Sequence, residues 1–301
     1  MLALAIHGGA GGVPRDRINP ELERAFREGL SAALDAGYEL LERGSSSLDA
    51  VESAVRRLED DPLFNAGRGA VLTRDGWAEL DAAIMDGRQQ RAGAVACVRH
   101  VRNPVQLARR VMEGSRHVLL VGEGAEEFAL DQGMTLVANE YFRTPERAQQ
   151  LRRQLAGETT SELLPPHGTV GAVALDADGN LAAATSTGGM TLKRHGRVGD
   201  SPLIGAGTFA KNGVCALSGT GHGEYFIRTV AAHHVAMSVE YRGLGLESAM
   251  RELLHEKLRA LGGDGGMIGV DGAGRIVMDF STTTMFRGAR DARGRREIAV
   301  F

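Results

Sequence analysis

The sequence predicts an α+β fold in which two β-sheets stack face to face between helical layers, on three observations. Short apolar runs pair into hairpins across turn signals at Asp178-Gly179 and Asp271-Gly272. Amphipathic helical spacing stands both before and after the runs of strands. The 41 glycines gather at the ends of apolar runs without a fixed period, as a fold with many tight turns requires. These signals give roughly eight strands and four or five helices. Hairpins of this kind argue against a doubly wound, all-parallel sheet, which stays open as the alternative.

The 301 residues, 43% hydrophobic and 24% charged, fit one large globular domain over 1–301. A net charge of -3 and a pI near 6.3 leave no basic footprint, so no nucleic acid partner is expected. Cys97 and Cys215 lie in apolar runs without metal-ligand spacing, the pattern of buried thiols in a reducing compartment. The opening Met-Leu-Ala-Leu-Ala-Ile has no basic flank and meets His7-Gly8-Gly9 too early for a signal peptide, so it reads as a first strand. No stretch reaches the length of a membrane span, and a cytoplasmic protein is expected.

After that strand, the run from His7 to Gly12 lets the backbone approach a ligand or another strand closely. Phosphate binding is the weaker alternative, since neither a P-loop Lys-Ser/Thr nor a full G-x-G-x-x-G follows. His7, with no second His or Cys near it, reads as a structural histidine. Leu22, Phe26, Leu30, Ala33 and Leu40 predict a helix over 20–43 that stops at Gly44. Ser46 and Asp49 make a capping box for a second helix, with Leu48, Val51, Ala54, Val55 and Leu58 on one face. The stretch 59–69 reads as a loop whose carboxylates and carbonyls either hold a hard cation or face water. Strands are expected over 78–85, over 92–101 and, buried, over 118–121. Asn103-Pro104 caps and opens one helix, and 123–132 forms another. Segment 143–166 is polar, ends in Pro165-Pro166 and has little to bury, so it reads as a loose connector.

That connector meets a hairpin with strands over 170–176 and 181–187, and Gly168-Thr169 stands at the junction. If the peptide bond before Thr169 is cut, its freed α-amine sits beside its own hydroxyl. An α-amine, with a reference pKa of roughly 7.7–8.0, suits a general base at neutral pH. Thr with an N-terminal amine is an established nucleophile and base pair. Gly168 tolerates the strained backbone that such self-cleavage demands. A threonine merely opening a strand is the plainer reading of this stretch alone.

Downstream, Gly196-Arg197-Val198-Gly199-Asp200-Ser201-Pro202 sets a guanidinium and a carboxylate three residues apart in a loop. They suit the carboxylate and ammonium of an amino-acid-like ligand, or else a surface salt bridge. A strand over 213–217 then leads through a Gly-rich turn, 218–224, into a helix over 225–237. Backbone N–H groups in that turn, with the Thr220 hydroxyl, could hold an anion or a developing oxyanion. His222 is unnecessary as a base if the threonine amine serves. An amphipathic helix over 246–261, a hairpin over 266–270 and 275–280, and a strand over 297–301 end the chain.

The motifs taken together resemble one family, the plant-type L-asparaginases with isoaspartyl-peptidase activity, which are N-terminal-nucleophile (Ntn) hydrolases. The resemblance spans nearly the whole chain. It rests on His7-Gly8-Gly9-Ala10-Gly11, Leu63-Phe64-Asn65-Ala66-Gly67, Glu79-Leu80-Asp81-Ala82 and Met85-Asp86-Gly87 in the first half. The second half adds Gly168-Thr169-Val170-Gly171-Ala172-Val173-Ala174, Thr185-Ser186-Thr187-Gly188-Gly189, the 196–202 loop, and Gly219-Thr220-Gly221 followed by Gly223-Glu224.

The resemblance implies a four-layer αββα sandwich that cuts itself between Gly168 and Thr169, giving subunits 1–168 and 169–301 that assemble as a dimer of heterodimers. It implies hydrolysis of L-asparagine to L-aspartate and ammonia, and cleavage of β-aspartyl dipeptides. Thr169 would be the nucleophile and Thr187 its support. Arg197 would hold the substrate α-carboxylate, and Asp200 with the Gly223 carbonyl its α-amine. Thr220 and the Gly221 N–H would form the oxyanion hole, with Asn65 near the nucleophile. The family needs no cofactor for its chemistry, and it binds a structural sodium through backbone carbonyls that correspond to Leu58, Glu59, Asp61, Phe64, Ala66 and Arg68. Many relatives carry Asp before the catalytic threonine, where this chain has Gly168, and the connector here is short. A glycosylasparaginase-like amidase fits less well, given the few cysteines and the lack of a signal peptide. A non-catalytic binding protein for acidic amino acids, gripping ligand through Arg197 and Asp200, is the reading from a different class.

Overall fold

The fold is that of a computed structural model, which describes residues 1–11, 18–158, 168–194 and 196–301. Gly12, Pro165, Pro166 and His167 lie outside the described residues. The strands are β1 (Ala3–Gly11), β2 (Leu80–Asp86), β3 (Arg91–Val98), β4 (Leu119–Val121), β5 (Val170–Leu175), β6 (Leu181–Thr187), β7 (Thr208–Lys211), β8 (Cys215–Gly221), β9 (Gly265–Asp271), β10 (Ile276–Phe280), β11 (Thr284–Asp291) and β12 (Arg296–Ala299). They form an eight-stranded sheet, β12-β11-β1-β5-β6-β2-β3-β4, and a four-stranded sheet, β10-β9-β8-β7. Every pairing is antiparallel except β3 with β4.

Because side chains alternate along a strand, successive residues of the larger sheet enter two different interiors. Leu4 and Ile6 of β1, Ala172 and Ala174 of β5, and Ala182 and Ala184 of β6 join one apolar cluster. It also takes in Leu30 and Leu34 of α1 (Pro20–Glu42), Val51 and Val55 of α2 (Ser47–Asp60), and Val105 and Val111 of α3 (Pro104–Gly114). The alternate residues, Ala3, Ala5, Val173, Leu175, Leu181 and Ala183, join a second cluster with Phe209, Leu217, Ile268 and Val270 of the smaller sheet. Gly171 on β5 lets β8 of the smaller sheet approach closely, since a Cβ there would come 2.0 Å from Ser218 Oγ.

Local signals set the early helices. The Asn19 side chain accepts from Leu22 N–H at 2.7 Å, and the Ser46–Asp49 capping box forms as expected. Each such cap contributes about 1 kcal/mol. Asn103 occupies the N-cap position of α3 but does not cap it; buried Glu59 does so, accepting from Val105 N–H at 3.0 Å.

Several expectations need correction. The connector carries a helix, because α5 (Pro145–Leu155) follows α4 (Gly122–Asp131) and buries Arg147, Ala148, Gln150 and Leu151. Thr144 caps α5, and Pro145 opens it. The strand at 119–121 is an exposed edge, with Leu119 at 39% and Val121 at 57% exposure. The helix expected over 225–237 is two helices, α6 (Gly223–Thr229) and α7 (Ala231–Arg242), broken at Val230, whose φ is 47°. Helices α8 (Leu246–Arg251) and α9 (Leu258–Ala260) flank a π-turn over Glu252–Lys257. Strands β7 and β11 carry too little alternation to stand out in the sequence, yet β11 pairs with β1 along its whole length. Cys215 is buried, its thiol pushed up to about 12 by desolvation, whereas Cys97 is half-buried. Among the described residues, no helix is long and apolar enough to cross a membrane.

Candidate active site

Thr169 stands just before β5, outside the strand ladder, and is 6% exposed. Its hydroxyl donates to Thr187 Oγ1 at 3.3 Å. Thr187, at the end of β6, donates in turn to the Gly168 carbonyl at 2.9 Å and accepts from Gly189 N–H at 2.9 Å. Asn65 Nδ2 gives the same Gly168 carbonyl a second donor at 2.9 Å and reaches Gly189 O at 2.8 Å. Its Oδ1 is held by Val71 N–H at 2.8 Å, which fixes the amide's orientation. The carbonyl before Thr169 is thus polarised by two side-chain donors, as an oxyanion hole would do.

The backbone there needs glycine. Gly168 has φ 153°, outside the range L side chains favour. Gly9 has φ 116°, and a Cβ on it would come 3.2 Å from Gly168 Cα and 3.3 Å from Thr169 N. The cavity lined by Gly8, Gly9, Asn65 and Gly168 holds about 10 Å³, at most room for a single water.

A second cluster holds Arg197, Asp200, Gly223 and Glu224. Asp200 is 4% exposed, and its Oδ2 has no hydrogen-bond partner among the described residues. Burial pushes its carboxyl up to about 7, against the opposing pull of its own backbone N–H and of Arg197. A buried carboxylate without a partner is costly and calls for a cation. A Cβ at Gly223 would sit 2.8 Å from Asp200 Oδ1 and 3.1 Å from Arg197 Nη2, so this glycine keeps both groups accessible to one ligand. Arg197 Nε donates to Glu224 Oε1 at 2.9 Å, and that pairing holds the Glu224 carboxyl below its usual range.

The third group lies on β8. The strand runs through Gly221, so Thr220 and Gly221 are strand residues, not part of a turn as the sequence implied. Thr220 is buried, and its Oγ1 accepts from Ala10 N–H at 3.0 Å, which leaves its proton free to donate. Gly221, φ 149°, lies so close to β9 that a Cβ would meet Gly265 Cα at 2.5 Å. β1 and β8 join the three groups. Ala10 follows Gly9, which packs on Gly168 and Thr169, and Gly219 adjoins Asp200 Oδ2. His222 is turned to Asp264, its Nδ1 2.6 Å from Oδ1, on the half-exposed rim.

The acidic loop needs correction. Helix α2 runs to Asp60, so Leu58 and Glu59 are its last turn. Glu59 is buried, not solvated; it accepts from Ser186 Oγ at 2.7 Å and from Val105, and desolvation pushes its carboxyl up to about 8. Among the described residues, no three His, Cys, Asp or Glu side chains gather to hold a metal. Backbone carbonyls line this loop: a Cβ at Gly67 would come 2.3 Å from Glu59 O, and one at Gly69 would come 2.1 Å from Phe64 O and 2.5 Å from Pro62 O.

Sequence reasoning did not find Glu224 as the partner of Arg197, nor the contact from His7 Nδ1 to Thr169 O at 2.8 Å. Both partners are far off in sequence, and no local spacing signals them.

The profile of the family described as Asparaginase matches residues 1–300. Isoaspartyl peptidase from Salmonella typhimurium is 53% identical over 295 residues, covering 94% of this chain and 93% of that protein. A probable isoaspartyl peptidase/L-asparaginase 2 from Arabidopsis thaliana is 40% identical over 327 residues, covering 99% and 98%. Isoaspartyl peptidase/L-asparaginase from Mus musculus is 44% identical over 286 residues, covering 94% and 86%. With identity of 40% or more sustained along nearly its whole length, this chain belongs to the asparaginase family.

Proposed function

We propose that this chain is an autoprocessed threonine amidohydrolase that converts L-asparagine to L-aspartate and ammonia and cleaves β-aspartyl dipeptides. One observation carries the reading: Thr169 lies beside a carbonyl that two fixed donors, Asn65 and Thr187, already polarise. The names of the relatives, isoaspartyl peptidase and L-asparaginase, support the substrate class.

Processing starts with attack of Thr169 Oγ1 on the Gly168 carbonyl carbon while Asn65 and Thr187 hold the developing oxyanion. The C–N bond breaks as the hydroxyl proton passes to the leaving nitrogen, leaving an ester to Oγ1 and a free α-amine, and water then releases the Gly168 carboxylate. The products are subunits 1–168 and 169–301. In the mature enzyme the α-amine takes the Thr169 hydroxyl proton as Oγ1 attacks the side-chain carbonyl of the substrate. Thr220 and the Gly221 N–H hold the new oxyanion. The proton passes to the departing ammonia or amino acid, and water cleaves the β-aspartyl ester to regenerate Thr169. Arg197 holds the substrate α-carboxylate, sharing its guanidinium with Glu224. Asp200, with the Gly223 carbonyl, holds the α-ammonium, supplying its unpartnered oxygen.

The two apolar clusters support a four-layer αββα arrangement of the Ntn-hydrolase type, and the family supports a dimer of heterodimers in the cytoplasm. The chemistry needs no cofactor. The carbonyl-lined end of α2 and the loop after it, Leu58, Glu59, Asp61, Phe64, Ala66 and Arg68, would hold a structural sodium through backbone oxygens.

Intact mass under denaturing conditions, with N-terminal sequencing, tests the reading. Two fragments are expected, the smaller beginning Thr-Val-Gly-Ala, together with ammonia release from asparagine and amino-acid release from β-aspartyl dipeptides. A persistent single chain that binds aspartate would instead favour the non-catalytic binding protein.

A further inference from the structure

His7 is fully buried, and the proposed chemistry leaves it without a role. Its Nδ1 lies 2.8 Å from Thr169 O, and a carbonyl only accepts, so Nδ1 carries the proton and donates. In the neutral ring, Nε2 is then bare and accepts from Ser218 Oγ at 2.8 Å. Ser218 Oγ stands 2.7 Å from Thr185 Oγ1, which accepts from Thr208 Oγ1 at 2.6 Å. Thr208 Oγ1 also lies 3.1 Å from Ser201 O, directly after Asp200. One proton arrangement serves the whole column: Thr208 donates to Thr185, Thr185 to Ser218, Ser218 to His7, and His7 to Thr169. Burial keeps the imidazole neutral, its pKa pushed down to about 3, so this arrangement holds across the working pH range.

The column crosses from β1 through β8 and β6 to β7, linking both sheets inside an otherwise apolar interior. Gly171 makes room for it, since a Cβ there would come 2.0 Å from Ser218 Oγ and 2.5 Å from His7 Nε2. Thr169 itself has no partner in the strand ladder: β5 pairs with β6 from Val170 and with β1 from Gly171. Once the bond before Thr169 is cut, its residue loses the covalent anchor on one side. Its carbonyl then depends on His7.

We propose that His7 is a positioning residue: with the relay Ser218–Thr185–Thr208 behind it, it pins the carbonyl of Thr169 and so holds the newly cut amino terminus in line for attack. The inference rests on the reading of Thr169 as an N-terminal nucleophile.

The test uses the full chain and counts turnover per processed amino terminus, measured by mass spectrometry. His7→Asn keeps a donor near the place of Nδ1, while His7→Gln keeps only the contact to Ser218. His7→Gln is expected to lower kcat by roughly tenfold to a hundredfold with KM within about threefold of wild type, as loss of a hydrogen bond and of alignment at the nucleophile would give. His7→Asn is expected to recover kcat to within about fivefold of wild type. Ser218→Ala, which loosens the relay but spares the donor, is expected to lower kcat by about threefold with KM unmoved. Wild-type kcat per processed terminus in His7→Gln, or equal losses in His7→Asn and His7→Gln, overturns the proposal. If His7→Gln does not fold, the decision falls to Ser218→Ala, where unchanged kcat overturns the relay. A wild-type chain that is neither cut nor active would overturn the nucleophile reading itself, a separate outcome.

Discussion

The two ends of the site differ in how complete they are before any substrate arrives. Around Thr169, every polar group shown has a partner: Asn65 is fixed from both ends, and Thr187 joins the Thr169 hydroxyl to the Gly168 carbonyl. Around Asp200, a buried carboxylate oxygen has none, and Arg197 leans on the half-exposed Glu224. The difference follows from what each end must do. In the uncut chain the Gly168 carbonyl already fills the donor site, so the nucleophile end assembles on its own peptide. In the proposed reading the binding end takes a zwitterion, whose ammonium would offset the cost of ionising the buried carboxyl.

The sharpest break of that contrast is Thr169→Ala. The variant should remain a single chain, with a loss on the order of 10⁶ in kcat, as expected when a nucleophile is removed; two fragments on a denaturing mass spectrum would sink the processing mechanism. Thr220→Val comes next, with turnover expected to fall by about 10²–10³ while KM holds, since a transition-state donor is lost. Steady-state kinetics on the processed protein would read that split. Asp200→Asn attacks the binding end: KM for asparagine should rise by about thirtyfold, matching a loss of roughly 2 kcal/mol for an unpaired ammonium, with mass-detected processing unaffected. Should Asp200→Asn stop processing instead, the two ends are not independent. Asn65→Ala should slow self-cleavage by about tenfold, because Thr187 remains as a donor, and time-resolved mass measurement would follow it.

The smallest effect is on stability. Asp200 and Glu59 have folded pKa values of about 7 and about 8, above those of the unfolded chain, because both are desolvated. The folded state therefore binds more protons than the unfolded state across this range. The stabilisation is present at low pH and is lost as pH rises through those values. Thermal scans of the ligand-free protein should show Tm falling by a few degrees between about pH 5 and pH 8. Asp200→Asn should flatten part of that slope, and saturating aspartate should do the same, since a bound ammonium favours the ionised carboxylate. A Tm that rises with pH over this window would contradict the buried, unpaired state of Asp200.

Much of the architecture was legible in the sequence. The short apolar runs on both sides of Asp178-Gly179, the capping box at Ser46 and Asp49, and the helical face from Leu22 to Leu40 are local signals, and each gave an element where the structure has one. The connector was misread because α5 buries Arg147 and Gln150, polar residues whose burial depends on partners such as Gly69 O. Val121 was misread in the other sense, as an apolar residue left at a sheet edge. Strand β11 was missed because its place is decided by β1, more than 270 residues away in sequence.

By itself the sequence determined which residues are chemically able to act: a threonine after glycine, an Arg and Asp in one loop, and glycines where backbones must touch. Their order along the chain also placed them in a family of known pattern. Only the tertiary structure decided that Asn65 and Thr187 share one carbonyl, that one carboxyl oxygen of Asp200 is left without a hydrogen-bond partner among the described residues, that Glu59 turns inward, and that His7 holds Thr169. Hydrogen bonds and desolvation act over a few ångströms in space, and sequence separation is silent about that distance.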